Sequence, residues 1–306
     1  MGIVIDEPLD AAARMEIIMV GKLSEKAYEL SETEYFDFIQ SDYKPNPFEG
    51  EEGDTRFVSG SHNAWVNGQR FHRMLLMLNR RRKSLQDNAI AIDIGFYPAT
   101  WIQLVRHFWS DLEWHGVGLC ISDEFRQWAA TEKIELSEAD MDPFYAGFGN
   151  KDVKRRLPFE DNSVDFVVAS EIFEHLISPL LFLEESARVL KPGGLMLMTT
   201  PNVSNIGAAV NLLRGRSNYE RLERSPMFLA EDEWRGHIRF YSKDELIWLG
   251  ERYGLEMVDH QYYHDDYPMS ALKKKGMSSS IKRMIRRIFG IVPWFRGGHI
   301  MMLRKR

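Results

Sequence analysis

The sequence predicts an α/β fold: a mostly parallel sheet with helices on both faces. Three observations carry this. Between residues 89 and 200, short apolar runs alternate with segments of helical period, the signature of βαβ units. The runs Ala89–Ile94 and Val164–Ser170 are almost continuously apolar, as strands buried on both faces must be. The connections between runs are helix-length, which parallel neighbours require.

Taken in order, Asn63 to Arg82 reads as a helix. Val66, Phe71, Leu75, Leu76 and Leu78 form its apolar face, and Arg80-Arg81-Arg82-Lys83 closes its negative end. Ala89–Ile94 is a strand ending at Gly95, Trp101–Trp109 a helix, Trp114–Ile121 a strand and Asp123–Thr131 a helix. Val164–Ser170 is a strand. Leu180, Leu183, Ala187 and Leu190 mark one face of the next helix, Lys191-Pro-Gly-Gly194 a turn and Leu195–Thr200 a strand. Ser242 with Glu245 makes a capping box for a helix whose apolar side is Leu246, Leu249 and Tyr253. Leu255–Tyr263 and His299–Leu303 are the last strands. Residues 1 to about 60 read as acidic and irregular, with a Pro- and Gly-rich loop over Asp42–Asp54.

Composition narrows the class. The chain has 306 residues, 44% of them hydrophobic and 27% charged, as in ordinary globular proteins. One cysteine, Cys120, excludes an internal disulfide and fits a reducing, cytoplasmic setting. The start, Met1 to Glu7, has neither a basic region nor an apolar run of signal-peptide length. The uncharged stretch Pro192–Leu213 is interrupted by Pro201, Asn202 and Asn205, which argues against a membrane span.

Net charge is −6, unevenly spread: Tyr267 to Arg306 holds eleven of the 39 basic residues and no acid. A helix expected over Ser278–Val292 sets Ile281, Met284, Ile285, Ile288 and Phe289 against Lys282, Arg283, Arg286 and Arg287. Two readings stand: contact of residues 273–296 with an anionic membrane surface, or packing of the apolar face against the sheet. With only Trp294 and Phe295 as nearby aromatics, a nucleic-acid groove is disfavoured.

The most specific stretch is Leu157-Pro-Phe-Glu-Asp-Asn-Ser-Val-Asp-Phe-Val-Val-Ala-Ser-Glu-Ile-Phe-Glu-His175, continued by Arg188-Val-Leu-Lys-Pro-Gly-Gly194 and Thr199-Thr-Pro-Asn202. It resembles class I methyltransferases dependent on S-adenosylmethionine (SAM), of the ubiquinone-biosynthesis-like group. The segment Gly236-His-Ile-Arg-Phe-Tyr-Ser242 looks like that of bacterial relatives that modify glycans and sugars.

The resemblance implies a Rossmann-like seven-stranded sheet with an antiparallel C-terminal strand and an N-terminal helical cap. The expected organisation is a cap over 1–85 and a methyltransferase domain over 86–306, with a substrate-side insertion at 203–240 and a basic insertion at 265–297. SAM is the implied cofactor, bound by Asp93, Gly95, Phe96, Tyr97, Cys120, Ile121, Ser122, Asp152, Val153, Ser170 and Glu171. The sequence departs from the family twice. Its loop after the first strand, Gly95-Phe-Tyr-Pro-Ala99, keeps one glycine where two or three are usual. Cys120 stands where an acid normally accepts from the ribose hydroxyls, with Asp123 and Glu124 as nearby substitutes.

His175 is the candidate base, since an imidazole titrates near neutrality. His237, Arg239 and Tyr241 alternate toward one face of an extended segment as acceptor-binding candidates. No Cys or His cluster has the spacing of a metal site. The expected activity is O-methylation of a glycan, sugar nucleotide or related small molecule. A methyltransferase-like binding protein without turnover, and a lipid or quinone methyltransferase at the membrane surface, are the alternatives.

Overall fold

The computed structural model describes residues 31–49, 67–119, 121–142, 156–217, 237–263 and 292–306. Cys120, Asp152 and Val153 lie outside the described residues, as does the basic helix expected over 278–292, Val292 apart. Among the described residues no helix is long and apolar enough to cross a membrane.

The helices are α1 (Glu32–Ser41), α2 (Gly68–Arg81), α3 (Thr100–Phe108), α4 (Asp123–Thr131), α5 (Pro179–Val189), α6 (Ile206–Leu213) and α7 (Lys243–Arg252). The strands are β1 (Ile90–Ile94), β2 (Glu113–Gly118), β3 (Glu135–Glu138), β4 (Val164–Ser170), β5 (Leu190–Pro201), β6 (Leu255–Tyr263) and β7 (Gly298–Lys305). They form one sheet in the order β3-β2-β1-β4-β5-β7-β6. Only β7 runs antiparallel to its neighbours, wedged between β5 and β6. The fold class expected from the sequence is therefore present, antiparallel C-terminal strand included.

Period-two alternation along the central strands builds two cores. Ala91, Phe166, Val168, Leu195, Leu197, Ile300 and Met302 face one side, under α1, α2 and α3. Ile92, Ile94, Val167, Ala169, Met196, Met198, Met301 and Leu303 face the other, under α5 and α7. The central strands β1, β4 and β5 are buried on both faces, which is why they read as apolar runs rather than half-polar ones.

Four local expectations need correction. Residues 31–41 are helical, not irregular: Ser31 and Glu34 close a capping box, and Tyr35 and Ile39 are buried. The Ser-x-x-Glu signature before an apolar run was there to be read. Lys191–Gly194 is not a free turn but an excursion within β5. The register jumps from Val164↔Leu190 to Phe166↔Leu195, and Gly193 takes φ +81° to accommodate it. The second strand stops at Gly118, because its edge partner β3 ends opposite, at Glu138. β3 itself carries no apolar run, being a four-residue edge strand of sequence Glu-Leu-Ser-Glu.

The loop before β4 is tied to α5 by one buried acid. Glu185 accepts from the backbone N–H of Leu157 at 3.0 Å and from both Nε and Nη2 of Arg188. Arg188 also reaches Asp161 and the carbonyls of Leu157 and Phe159. The motif residues Leu157-Pro-Phe and Arg188 are thus two ends of one hydrogen-bonded clasp. We expect Arg188→Ala to leave Glu185 buried and uncompensated, lowering stability by about 3 kcal/mol in urea titration. A loss below about 1 kcal/mol would show that the clasp is dispensable.

Candidate active site

In this sheet the strand order reverses between β1 and β4, so their carboxyl ends open the crevice where open α/β sheets bind ligands. On the β1 side, Asp93 is 3% exposed and has no hydrogen-bond or ion-pair partner among the described residues. Burial alone pushes its carboxyl well above the usual range. Gly95 follows with φ +77°, and a Cβ there would lie 2.1 Å from Ile172 Cδ1. The loops after β1 and β4 therefore close on each other at a point only glycine fits.

Phe96 and Tyr97 separate. Phe96 is buried against the bare backbone of Gly116 and Gly118 in β2 and against Phe125. Tyr97 is 58% exposed, its ring 5.3 Å from Phe125. The N-terminal segment reaches this loop too: Asn46 Nδ2 donates to Pro98 O at 2.8 Å.

Beyond β2, Ser122 caps α4 by accepting from Phe125 N, and Asp123 and Glu124 lie exposed in the first turn. The acid nearest the strand end is Glu138 of β3. It accepts from Ile121 N at 3.3 Å and from Arg126 at 2.5 Å.

Beyond β4, Ser170 Oγ and Thr199 Oγ1 are 3.1 Å apart. Glu171 takes φ +57°, a strained value for a side-chain-bearing residue, held by its N–H to the carbonyl and hydroxyl oxygens of Thr199. Its carboxylate accepts from Tyr263 Oη at 3.0 Å and pairs with Arg70 at 3.4 Å.

The chain then makes a 3-10 turn, Phe173–His175, that buries Glu174 completely. The Glu174 carbonyl accepts from the N–H groups of Ile238 and Arg239, docking the 237–241 segment onto the turn. Its Oε2 accepts from Thr200 Oγ1 at 3.0 Å, whereas Oε1 has no hydrogen-bond partner. Facing Oε1 are His175 Nε2 at 3.8 Å and His237 Nε2 at 3.9 Å. The two imidazoles are 4.7 Å apart, ring centre to ring centre. Burial raises the Glu174 carboxyl, with Glu171 adding to it, and burial lowers the His237 imidazole.

His237, Arg239 and Tyr241 do not converge. His237 joins Glu174, whereas Arg239 pairs with Glu245 at 2.5 Å and lies 5.4 Å from the Tyr241 ring. Tyr241 is buried beside Phe173. Five residues of the site were not singled out from the sequence: Arg70, Glu138, Thr200, Tyr263 and the side chain of Glu174. Only Glu174, next to His175, and Thr200, inside the Thr199–Asn202 motif, had a local signal; Arg70 and Tyr263 arrive from distant segments.

A model of the methyltransferase domain family matches residues 66–260. The chain belongs to that family. Among related sequences, one from Mycolicibacterium smegmatis named "Probable S-adenosylmethionine-dependent methyltransferase" is 27% identical over 53% of this chain and 57% of its own length. A ubiquinone biosynthesis O-methyltransferase of Dinoroseobacter shibae is 34% identical over 31% of this chain and 35% of its own. The chain thus spans about half or less of these relatives' lengths. A SAM-dependent methyltransferase structure from Archaeoglobus fulgidus is 13% identical, with a TM-score of 0.46, over 78% of this chain and 97% of that one.

One polar pair of this methyltransferase domain lies behind the site, where β6 meets β7. His299, fully buried, has Nε2 3.0 Å from the Tyr241 carbonyl, which can only accept, so Nε2 carries the proton. Neutral His299 then accepts at Nδ1 from His260 Nε2, 3.0 Å away. Burial holds His299 down to about 4, and burial and then His299 hold His260 down to about 3. Both values lie below the unfolded value of 6.5, so the unfolded chain binds more protons across that window. The pair's contribution to stability is full above pH 6.5 and falls as pH drops toward 4, by on the order of 3 kcal/mol for His299 alone. In His299→Gln, whose amide can still donate to Tyr241, the fall in urea midpoint between pH 7 and pH 4.5 should shrink. An unchanged fall would show that His299 is not a source of the pH dependence.

Proposed function

We propose that this chain transfers a methyl group from SAM to an oxygen of a glycan, sugar nucleotide or related small molecule. The observation that carries the cofactor half is Asp93. A buried carboxylate without a partner among the described residues, at the carboxyl end of β1, suits a ligand that brings an ammonium group, as the methionine portion of SAM does. The family membership and the relatives' names support the same cofactor.

Bound SAM supplies a methyl carbon on a sulfonium, open to in-line attack by an oxygen lone pair as the carbon–sulfur bond breaks. This chain's residues bind and orient. Asp93 and the loop at Gly95 take the methionine end, with Ser170 and Glu171 on the facing loop. Tyr97, exposed on the rim, covers the pocket. Glu138, already bonded to Ile121 N–H, would accept from a ribose hydroxyl, from β3 and not from the end of the second strand where the family carries its acid. Arg70 and Tyr263 hold Glu171 in its strained conformation. The Glu174, His175 and His237 cluster is assigned to the acceptor side, where it promotes loss of the hydroxyl proton. An oxygen acceptor is favoured by that cluster, because an already neutral amine needs no base. The sugar or glycan class rests on the resemblance of the Gly236–Ser242 segment.

Titration calorimetry with S-adenosylhomocysteine should show one site per chain, weakened about tenfold in Asp93→Asn. Transfer of labelled methyl from SAM should occur onto members of a panel of glycans and sugar nucleotides. A wild-type chain that binds neither SAM nor S-adenosylhomocysteine would instead favour a binding protein without turnover. Methylation of quinone or lipid phenols alone would move the acceptor to that class.

A further inference from the structure

At the 3-10 turn the adjacent Glu174 and His175 meet His237, 62 residues further along the chain: one carboxylate oxygen and two imidazole nitrogens, all within 4.8 Å of one another. We propose that Glu174, His175 and His237 form a binding site for a divalent transition-metal ion of the Zn2+ type. Four features of the geometry argue for it.

The donor set is one that transition ions choose: two imidazoles and a carboxylate, with a fourth position left for water or substrate. The spacing is close to what the ion needs. With ligands about 2.1 Å from the metal, the edges of a tetrahedron are about 3.4 Å. The two Nε2···Oε1 distances, 3.8 and 3.9 Å, exceed this by a few tenths, and the third edge, between the two imidazoles, is within 4.8 Å, so binding requires the imidazoles to draw together.

The third feature is the state of the carboxylate. Glu174 is fully buried, and its Oε1 makes no hydrogen bond although two imidazoles face it. A buried carboxylate oxygen left in this way is unfavourable until a cation arrives. Fourth, an orienting contact is in place. Thr200 Oγ1 donates to Oε2 at 3.0 Å, leaving Oε1 as the atom turned to the imidazoles. The carbonyl of Glu174 in turn anchors Ile238 and Arg239, so the loop that brings His237 is fixed to the residue it would share a metal with. The imidazoles themselves keep 19% and 25% of their side-chain surface exposed, which gives an ion a way in.

The ion's role, unlike its binding, rests on the methyl-transfer reading. An acceptor hydroxyl in the open position would have its oxygen polarised by the ion and lose its proton to solvent. A remaining oxygen lone pair then forms the new bond to the methyl carbon, and the carbon–sulfur bonding pair stays on sulfur. The histidines act here as ligands, not as proton acceptors, and the ion gives the cluster its basic function.

The test is a metal titration of the full chain. After treatment with chelator and dialysis, wild type should take up one Zn2+ per chain. Co2+ should produce visible d–d absorption that Zn2+ displaces. Glu174→Gln and His237→Ala should each abolish the Co2+ absorption. Thr200→Val, which removes only the orienting hydrogen bond, should weaken Zn2+ about 10- to 100-fold. Circular dichroism and S-adenosylhomocysteine calorimetry on each variant report whether fold and cofactor site persist. A wild-type chain that gives no Co2+ absorption, or that holds no more Zn2+ than Glu174→Gln, overturns the metal site whatever the variants' stability. If S-adenosylhomocysteine still binds in that case, the methyl-transfer reading survives. If Zn2+ binds and S-adenosylhomocysteine does not, the metal site stands and the methyl-transfer reading fails.

Discussion

A sheet that is apolar on both faces must be covered on both faces, and most of this molecule follows from that requirement. Side chains of β1, β4 and β5 alternate into two separate cores, one under α1, α2 and α3 and one under α5 and α7. Polar groups are thereby driven to the strand ends, where the backbone leaves the sheet and can turn. Asp93, Ser170, Glu171, Thr199 and Thr200 all sit within a residue or two of a strand's carboxyl end. The reversal of strand order between β1 and β4 then sets two of those ends apart with room between them.

What fills the space between is a set of acids, each buried to a different degree and held differently. Glu171 is satisfied by Arg70 and Tyr263, which come from α2 and β6 on opposite ends of the chain. Glu138 is satisfied by Arg126 and a backbone N–H. Among the described residues Asp93 and one oxygen of Glu174 lack such partners. Buried carboxylates are rarely left so, and the contrast separates acids whose bonds tie elements together from acids without such bonds among the described residues. At the carboxyl end of β2 the described acid is Glu138, which comes from β3, a strand whose polar sequence hid it.

The core of the fold was legible because burial on two faces leaves a strong trace in one dimension. The runs at 89–94, 164–170 and 195–200 could be little else, and Ser242 with Glu245 announced α7 by the chemistry of its cap. The misses share a cause as well. β3 is an edge strand half open to solvent, so it shows no apolar run. α1 was obscured by the acidic residues around it, though its capping box had the same signature as that of α7. The excursion at Lys191–Gly194 reads as a turn locally. It belongs to β5 only because β4 pairs on either side of it.

By itself, the sequence determined the fold class, the strand–glycine–helix form around Gly95, and the resemblance carried by Leu157–His175 and Arg188–Asn202. These depend on spacing and composition within short windows, which a linear reading sees directly. The tertiary structure alone decided which side chains share a volume. It separated Phe96 from Tyr97, sent Arg239 to Glu245, and brought His237 across 62 residues of chain to His175 and Glu174. Contacts of that kind depend on how loops return over the sheet, and a loop's path is set by the few buried hydrogen bonds that catch it. Here the Glu174 carbonyl, accepting from Ile238 and Arg239, makes that catch.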